Sequence, residues 1–498
     1  MASASVTILI VLLLLFSTFQ SAAAYASTVN IEEEVHEVSS VVEQLRGLPF
    51  KYIPPVSLVD RASSLSRLGL SEWEGWELAQ QEYEALYMVS PGQNVKELLE
   101  EFYGSALLGY YDTEKNEIVV VKGEEEAMDR NVLAHELTHA LLDQYYPETF
   151  ELEYELTDKD LAVSAVLEGD AELVEELFGS QLSGCELNLK AKPAVPLAII
   201  YLQVFPYFEG YNFVKYLREK GGWEAVNEAY KNPPESTEQV IHPEKYLKEK
   251  PLKVELKPVS FDGWKPLGED ILGEAAIFMM FWNQGLAEFS LSPQGRITYK
   301  SKLSDGWAGD LMVVYKKDEN RYGYVWLLCW DTVKDALEFK QRYEEMLTRM
   351  GAMPLNGGAW QLEDRWVTIH QRGRTVTIVS APSRLQIDSL RMAAGLPIFD
   401  IEFTSLKGGQ TLTSTIRNLT PEDQEGLILI QVKDWRGRVE AIYQIQGEFP
   451  AGSRLSFETP ILCQKVFQIE IYVWKSFEKP VPLAKPLVFQ PGGWSLEN

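Results

Sequence analysis

The chain has 498 residues, which at roughly 100–200 residues per domain predicts two to four domains. Hydrophobic residues make up 46% of the sequence and charged residues 24%, a globular composition that excludes an intrinsically disordered or collagen-like protein. Lys and Arg number 46 against 73 Asp and Glu, and the resulting net charge of −27 disfavours nucleic acid as a partner, because an acidic surface repels phosphates. Only five histidines occur, so any clustering among them is informative: His36, His135, His139, His242 and His370.

The N-terminus has the pattern of an export signal. No charged side chain occurs before Glu32, residues 6–16 are almost entirely apolar, and the small residues after them end in Ala24-Tyr25-Ala26. This pattern predicts a cleaved signal peptide over residues 1–26. Because no Lys or Arg precedes the apolar run, an uncleaved membrane anchor through residues 6–24 stays open as the alternative. Both interpretations place the protein outside the cytoplasm, secreted or at the cell surface.

The first large domain is predicted over residues 27–290. Its expected elements are, in chain order, a mostly helical stretch over 31–103, a β-hairpin of 107–111 and 117–121, and helices over 126–145, 157–178 and 197–230. The helical stretch up to residue 89 is either a propeptide or the front of this domain.

The rest of the chain is predicted to contain more strands and fewer helices. Strands predicted over 311–315 and 322–329, a helix over 332–350 and further strands over 359–379 indicate a small α+β domain, residues 291–398. Residues 399–498 contain short alternating strands and hardly any helical window, which predicts a β-sandwich of the immunoglobulin or fibronectin-III kind. The predicted fold class is therefore multidomain α+β. The sequence Asn418-Leu419-Thr420 also matches an N-glycosylation acceptor.

The motif His135-Glu136-Leu-Thr-His139 lies within an apolar helical window. Positions i and i+4 share one face of a helix, so both imidazoles can bind a single metal ion while Glu136 lies beside the open coordination position. Chance is a poor explanation for this spacing in a chain with five histidines. The alternative is a pair of histidines packed in a helical core.

A catalytic zinc site needs a third protein ligand, and the next predicted helix offers Glu168 and Glu172. These two share a face that borders the apolar stripe through which the helix should pack on the motif helix. We expect Glu168 to be the ligand and Glu172 to accept a hydrogen bond from the far ring nitrogen of a ligand histidine. Exchanged roles, or a merely solvated acidic face, stay open as alternatives.

The string His135-Glu-Leu-Thr-His139-Ala, followed by a helix with Glu168-Gly-Asp-Ala171, resembles the motifs of the gluzincin (thermolysin-like) metallopeptidases. The resemblance covers residues 107–242, and the spacing from His139 to Glu168 is longer than in those families. It implies a zincin-like catalytic domain that binds Zn²⁺ through His135, His139 and Glu168. It also implies that Glu136 is the general base for peptide hydrolysis.

The resemblance implies further roles. His242, with Glu238 four residues earlier, would supply the oxyanion donor, and Tyr246 is the alternative donor; the contrary interpretation is an ordinary surface-loop histidine. The strand with Gly109, Tyr110 and Tyr111 would be an exposed edge that binds substrate backbone, or else a plain structural hairpin. These last three residues are the expected substrate-binding positions.

The sequence therefore predicts an extracytoplasmic zinc-dependent peptidase acting on a peptide or protein substrate. Aminopeptidases of the clan that this chain resembles have a G-x-M-x-N-type motif before the zinc motif to hold the substrate amine. This sequence has none, so the resemblance favours an endopeptidase. One alternative is a catalytically inactive zinc-binding protein whose C-terminal β-sandwich binds a cell-surface ligand, and another is a structural protein without metal. His370 is expected to be structural, since it lies alone in an alternating strand.

Overall fold

The computed structural model of the protein describes most of the chain. The described residues are 10–13, 31–60, 63, 73–122, 128–150, 157–179, 195–355, 358–407, 411–462, 466–478 and 480–490. The predicted signal peptide or anchor lies outside them except for residues 10–13. Two compact units are present, one of Met1–Lys253 with Asp270–Gly309 and the other of Val254–Glu269 with Asp310–Asn498. The predicted mixed α+β class is confirmed.

The first unit combines a small sheet with many helices. Its strands are β1 (Ile10–Leu13), β2 (Val56–Val59), β3 (Leu107–Asp112), β4 (Glu117–Val121) and the short pair β6 (Ser290–Leu291) and β7 (Ile297–Thr298). Its helices are α1 (Ile31–Arg46), α2 (Trp76–Ala85), α3 (Val95–Ala106), α4 (Arg130–Asp143), α5 (Pro147–Phe150), α6 (Thr157–Phe178), α7 (Leu197–Gln203), α8 (Phe205–Lys231), α9 (Thr237–Ile241) and α10 (Gly273–Asn283).

The small sheet has the strand order β1-β3-β4-β2. Strands β3 and β4 form the predicted antiparallel hairpin, and β2 adds to β4 in parallel. Apolar side chains of β4 are buried against the rest of the unit, and α4 packs on both hairpin strands. The hairpin therefore lies directly beside the helix with the histidine motif.

Helices α6 and α8 approach each other closely at two glycines. A Cβ added to Gly169 would lie 2.2 Å from the backbone of Gly210, and one added to Gly210 would lie 2.2 Å from the carbonyl oxygen of Ala165. Glycine is required where two backbones approach so closely. Gly169 follows Glu168 directly, so this crossing also sets the depth at which Glu168 is held.

Helix α1 is an integral part of the first unit. The buried guanidinium of Arg46, at its last residue, forms an ion pair of 3.0 Å with Asp170 of α6. It also lies 4.3 Å from the ring centroid of Trp223 and donates a hydrogen bond to Asn227. Removal of α1 would leave the buried Asp170 carboxylate without its cation, a costly loss. The geometry therefore favours the second of the two interpretations of residues 31–46, the front of the domain.

The second unit contains a seven-stranded sheet and two helices. Its strand order is β10-β11-β12-β13-β9-β8-β5. The strands are β5 (Lys265–Asp270), β8 (Trp307–Asp318), β9 (Arg321–Trp330), β10 (Met353–Pro354), β11 (Ala359–Gln361), β12 (Trp366–Arg372) and β13 (Thr375–Ala381), and the helices are α11 (Val333–Arg349) and α12 (Arg384–Ala393). Helix α11 begins with a capping box between Thr332 and Asp335 and packs on the sheet through Phe339, beside Trp330. His370 is buried in β12, where both ring nitrogens lack a hydrogen-bond partner among the described residues.

Two further antiparallel sheets share one hydrophobic core and form the β-sandwich. One has the order β14-β15-β18 and the other β17-β16-β19-β20. Their strands are β14 (Phe399–Lys407), β15 (Thr411–Asn418), β16 (Gln424–Lys433), β17 (Val439–Phe449), β18 (Arg454–Pro460), β19 (Gln468–Trp474) and β20 (Leu487–Phe489). The Asn418 side chain is fully buried and donates to three backbone carbonyl oxygens, so the folded chain does not present it for glycosylation.

The compact units do not follow the predicted domain limits. Residues 254–269 group with the second unit, and the first unit extends to Gly309 instead of residue 290. The predicted domains 291–398 and 399–498 are not separated by this division. Within the described residues, no helix is long and apolar enough to cross a membrane.

Candidate metal centre

Helix α4 places its two histidines and Glu136 in a fully buried position. The Asp129 side chain caps the helix by accepting from the backbone N–H of Asn131, and every residue from Val132 to Leu142 is buried. The imidazole rings of His135 and His139, one turn apart, have centroids 4.8 Å apart. Their ring nitrogens can thus reach one point, as the spacing of the motif predicts.

Glu168 of α6 faces both imidazoles. Its Oε2 atom lies 3.1 Å from Nε2 of His135 and 3.4 Å from Nε2 of His139. Two ligands bound to one tetrahedral zinc ion lie roughly 3.3–3.5 Å apart, given bond lengths of about 2.0–2.2 Å. The three residues could therefore hold a metal ion with little movement.

The electrostatics of this cluster suit metal binding. Burial lowers the pKa of His139, so its imidazole is neutral and has a free lone pair. Burial would raise the pKa of Glu168, but the two histidines outweigh it and lower the pKa of that carboxyl. Nδ1 of His139 is buried without a hydrogen-bond partner in the described part of the chain, and Nε2 faces the Glu168 carboxylate at 3.4 Å. Buried polar atoms of this kind need a partner, and a metal ion would be one.

Glu175 supports the far side of His135. Its Oε2 atom lies 3.3 Å from Nδ1 of that ring, which orients Nε2 towards Glu168. The sequence predicts Glu172 in this role; in the structure Glu175 is the carboxylate at hydrogen-bond distance from Nδ1, while Glu172 pairs with Arg296. A ligand atom of Glu172 nevertheless lies within 4.8 Å of those of His135 and Glu175. No motif in the sequence points to Arg296, which reaches α6 from the loop before β7. Glu172 lies one helical turn after Glu168 and Glu175 lies two turns after it, so helical spacing alone does not decide between them.

Glu136 is a buried carboxylate of the site. In the described residues neither of its oxygens has a side-chain hydrogen-bond partner, and the backbone of Tyr111 is close enough to interact with it. Burial raises its pKa well above the ordinary value, although His135 acts against this shift. Strand β3 passes directly over it: a Cβ added to Gly109 would lie 3.2 Å from Oε1 of Glu136. A carboxyl with a raised pKa beside a possible metal ion can accept and return a proton.

Tyr207 of α8 is a site residue that the sequence patterns do not predict. Its ring is stacked near that of His135, with centroids 6.3 Å apart and planes 22° apart. Burial, together with the charges of Glu168 and Glu136, raises its pKa well above the ordinary value. The hydroxyl therefore keeps its proton and can donate a hydrogen bond. Tyr207 lies in an aromatic run, Phe205-Pro-Tyr-Phe208, which carries no signal that separates it from core residues.

His242 belongs to a different cluster from the one predicted. Its Nε2 atom lies 3.2 Å from Glu274 of α10, and the Ser304 hydroxyl donates to the same carboxylate oxygen. The predicted partner, Glu238, instead forms an ion pair with Lys245. The Tyr246 hydroxyl donates to the backbone carbonyl of Asn232. None of these contacts joins His242, Glu238 or Tyr246 to the metal centre, so the predicted oxyanion role is not supported.

The predicted substrate edge is covered in this structure. Strand β1 pairs antiparallel with β3 along Gly109, Tyr110 and Tyr111, and both tyrosines are buried. The expectation of an exposed edge is therefore wrong for the chain that contains residues 10–13.

Comparisons with known proteins give little information on the site. A family model described as a domain of unknown function, DUF8575, matches residues 263–391. No curated protein matches the chain. The chain is similar to a crystal structure from Chloroflexus aurantiacus, provisionally described as a hydrolase with a novel fold, with 16% identity and a TM-score of 0.30. This match covers 43% of the present chain and 86% of that chain, and at such a TM-score it carries no argument.

Proposed function

We propose that the protein is an extracytoplasmic zinc-dependent peptidase whose metal ligands are His135, His139 and Glu168. One observation carries the proposal: a carboxylate oxygen of Glu168 lies 3.1 Å and 3.4 Å from Nε2 of the two histidines, nearly the spacing of ligands on a tetrahedral zinc ion, and the buried Glu136 carboxylate follows His135 directly. Two imidazole nitrogens and one carboxylate oxygen form the donor set of catalytic zinc sites that keep a fourth position open.

Zn²⁺ fits this donor set better than Mg²⁺ or Ca²⁺, which prefer oxygen ligands alone. A bound zinc ion supplies a lowered pKa for its coordinated water and polarises a carbonyl group. Burial would lower the pKa of His135, but its hydrogen bonds with Glu168 and Glu175 raise that pKa well above the ordinary value, so a metal ion would have to displace a proton from this ring. With His135 deprotonated, His139 neutral and Glu168 ionised, the ligands would bring one negative charge to the dication. A site of this kind is suited to hydrolysis and has no need of redox chemistry.

In the proposed reaction, Glu136 accepts a proton from the attacking water as the water oxygen forms a bond to the peptide carbonyl carbon. Glu136 then delivers that proton to the amide nitrogen, whose bond to the carbon breaks. A carboxylate at this position can take both parts, since it can accept a proton and then return it. The Tyr207 hydroxyl donates a hydrogen bond to the carbonyl oxygen on which negative charge develops.

The test compares wild type with Glu136→Gln. Purified wild type should contain one zinc ion per chain and cleave an unstructured protein. The Glu136→Gln variant should keep the zinc and lose activity by about 10²–10⁴-fold, the usual contribution of a general base. Glu244→Gln is the matched control, because Glu244 is an exposed carboxylate beside His242, and it should cleave normally.

Two outcomes would favour an alternative function. Zinc binding without turnover on any peptide library would indicate a catalytically inactive binding protein. Turnover of free peptides but not of N-acetylated ones would indicate an aminopeptidase. An active Glu136→Gln variant would contradict the mechanism.

A further inference from the structure

Residues Ile10–Leu13 extend the small sheet of the first unit. They form β1, which pairs antiparallel with β3 so that Ile10, Val11 and Leu12 lie opposite Tyr111, Tyr110 and Gly109. Without β1, strand β3 would be the outermost strand, since the sheet order is β1-β3-β4-β2. Backbone N–H and C=O groups of an outermost strand are free to pair with another chain.

This edge lies beside the proposed base. Gly109, opposite Leu12, is the residue whose Cβ position is 3.2 Å from Oε1 of Glu136. Strand β1 also contacts α4, the helix that contains His135 and His139. A segment paired on this edge therefore follows the path that an extended peptide would take past Glu136.

We propose that Ile10–Leu13 blocks the substrate edge of the intact chain and that loss of the N-terminal segment frees it. The inference rests on the proposed function and deepens it, because the segment on the edge belongs to the region whose sequence predicts removal on export. A tethered strand has an effective concentration of about 1 mM or more when its linker spans the gap. Substrates at micromolar concentration compete poorly with such an occupant.

The pairing of β1 with β3 is irregular at one point. Pairing is irregular between Leu12 and Leu13, since Leu12 lies opposite Gly109 and Leu13 opposite Leu107. Such an irregularity displaces the backbone from the regular ladder. The extra residue is Leu108 of β3, so the regular ladder is interrupted next to Gly109, the residue beside Glu136.

The first experiment compares the same chain before and after removal of the segment. The full chain is produced in the cytoplasm so that the segment is retained, with residues 20–26 replaced by the recognition sequence of a site-specific protease. Cutting is expected to raise the hydrolysis of an unstructured protein at least tenfold, and the same chain with Glu136→Gln should stay inactive. Equal activity before and after cutting would overturn the inference and leave the proposed function standing.

The second experiment needs no catalytic readout. Hydrogen exchange of residues 107–112 should be slow in the uncut chain and at least tenfold faster after cutting. Val11→Pro with Leu12→Pro should have the same effect without cutting, because proline cannot donate to the β-ladder; Val11→Ala with Leu12→Ala is the matched control and should stay protected. Faster exchange in an inactive protein would support the edge pairing and contradict the proposed function. Unchanged exchange in both tests would overturn the inference.

Discussion

The first unit contains two buried clusters of histidine and glutamate, and they differ in how their atoms are arranged. In the metal centre, His135, His139 and Glu168 direct three ligand atoms to one point. In the second cluster, the atoms form a chain, in which Glu274 accepts from Ser304 and pairs with His242. Besides Glu274, the charged groups that interact with His242 include Asp305, Glu244, Lys300 and the buried Glu209. Ligand atoms that converge on one point are typical of a metal centre. In a row of hydrogen-bonded side chains, by contrast, the side chains are partners for one another.

The comparison also shows which groups lack partners. Glu136 and His139 in the metal centre have buried polar atoms with no side-chain hydrogen bond in the described residues. In the His242 cluster, one oxygen of Glu274 also has no hydrogen-bond partner among the described residues, but the other is hydrogen-bonded to both His242 and Ser304. Unsatisfied groups are costly and persist where they serve a ligand or a reaction. We therefore expect substitutions in the metal centre to reduce zinc binding and substitutions in the His242 cluster to reduce stability.

The largest expected effect is on metal binding. His139→Ala removes one of three ligands and should abolish measurable zinc binding and peptide hydrolysis. His242→Ala should bind zinc with unchanged stoichiometry, because no contact joins His242 to the ligands within the described residues. Elemental analysis after dialysis and titration calorimetry measure both variants. Loss of zinc from His242→Ala would show that the two clusters are one site.

The next largest effect is on stability, and it is expected at His242 and not at the metal centre. His242→Ala leaves the buried Glu274 carboxylate without its cationic partner, so the free energy of unfolding should fall by about 3–5 kcal/mol. Glu244→Gln is the control, since it changes an exposed neighbour of the same histidine and should have an effect within about 0.5 kcal/mol. Denaturant unfolding of the zinc-loaded proteins measures the difference. Equal stability of the two variants would contradict a structural role for His242.

A smaller effect separates the two carboxylates of α6. Glu175→Gln weakens support of His135 and should lower zinc affinity by about 10–100-fold. Glu172→Gln removes the partner of Arg296 and should leave zinc affinity unchanged. Competition with a chelator measures both affinities. The reverse order would restore the role that the sequence predicts for Glu172.

The smallest effect is a pH dependence. Burial would lower the pKa of His242, but Glu274 outweighs it and raises that pKa above its ordinary value of 6.5. The histidine therefore stabilises the fold fully below pH 6.5, and this contribution is lost as the pH rises through the raised pKa. The stability advantage of wild type over His242→Gln should thus shrink as the pH rises above 6.5 through the raised pKa, and an advantage that grows would contradict the assignment.

Local patterns in the sequence predict much of this architecture. The i, i+4 spacing of His135 and His139 places both on one face of α4, and the apolar stripe of α6 places Glu168 against them. Alternating residues predict the hairpin of β3 and β4 and the strands of the sandwich, because the period of two is a local property. The mixed α+β class follows from these elements.

Contacts between distant segments explain what the sequence does not predict. Glu238 is the nearer carboxylate to His242 along the chain, but the fold of α10 brings Glu274 to the imidazole instead. Arg296 reaches Glu172 from a segment 124 residues away and so leaves Glu175 for His135. Tyr207 has no motif at all, and its role depends on the crossing of α8 over α6.

The most direct test of the metal centre is a crystal structure of the zinc-loaded protein, with diffraction data recorded at the zinc absorption edge. We predict one anomalous peak, about 2.0–2.2 Å from Nε2 of His135, Nε2 of His139 and a carboxylate oxygen of Glu168. A peak at His242 and Glu274, or no peak in protein that retains no zinc, would contradict the account.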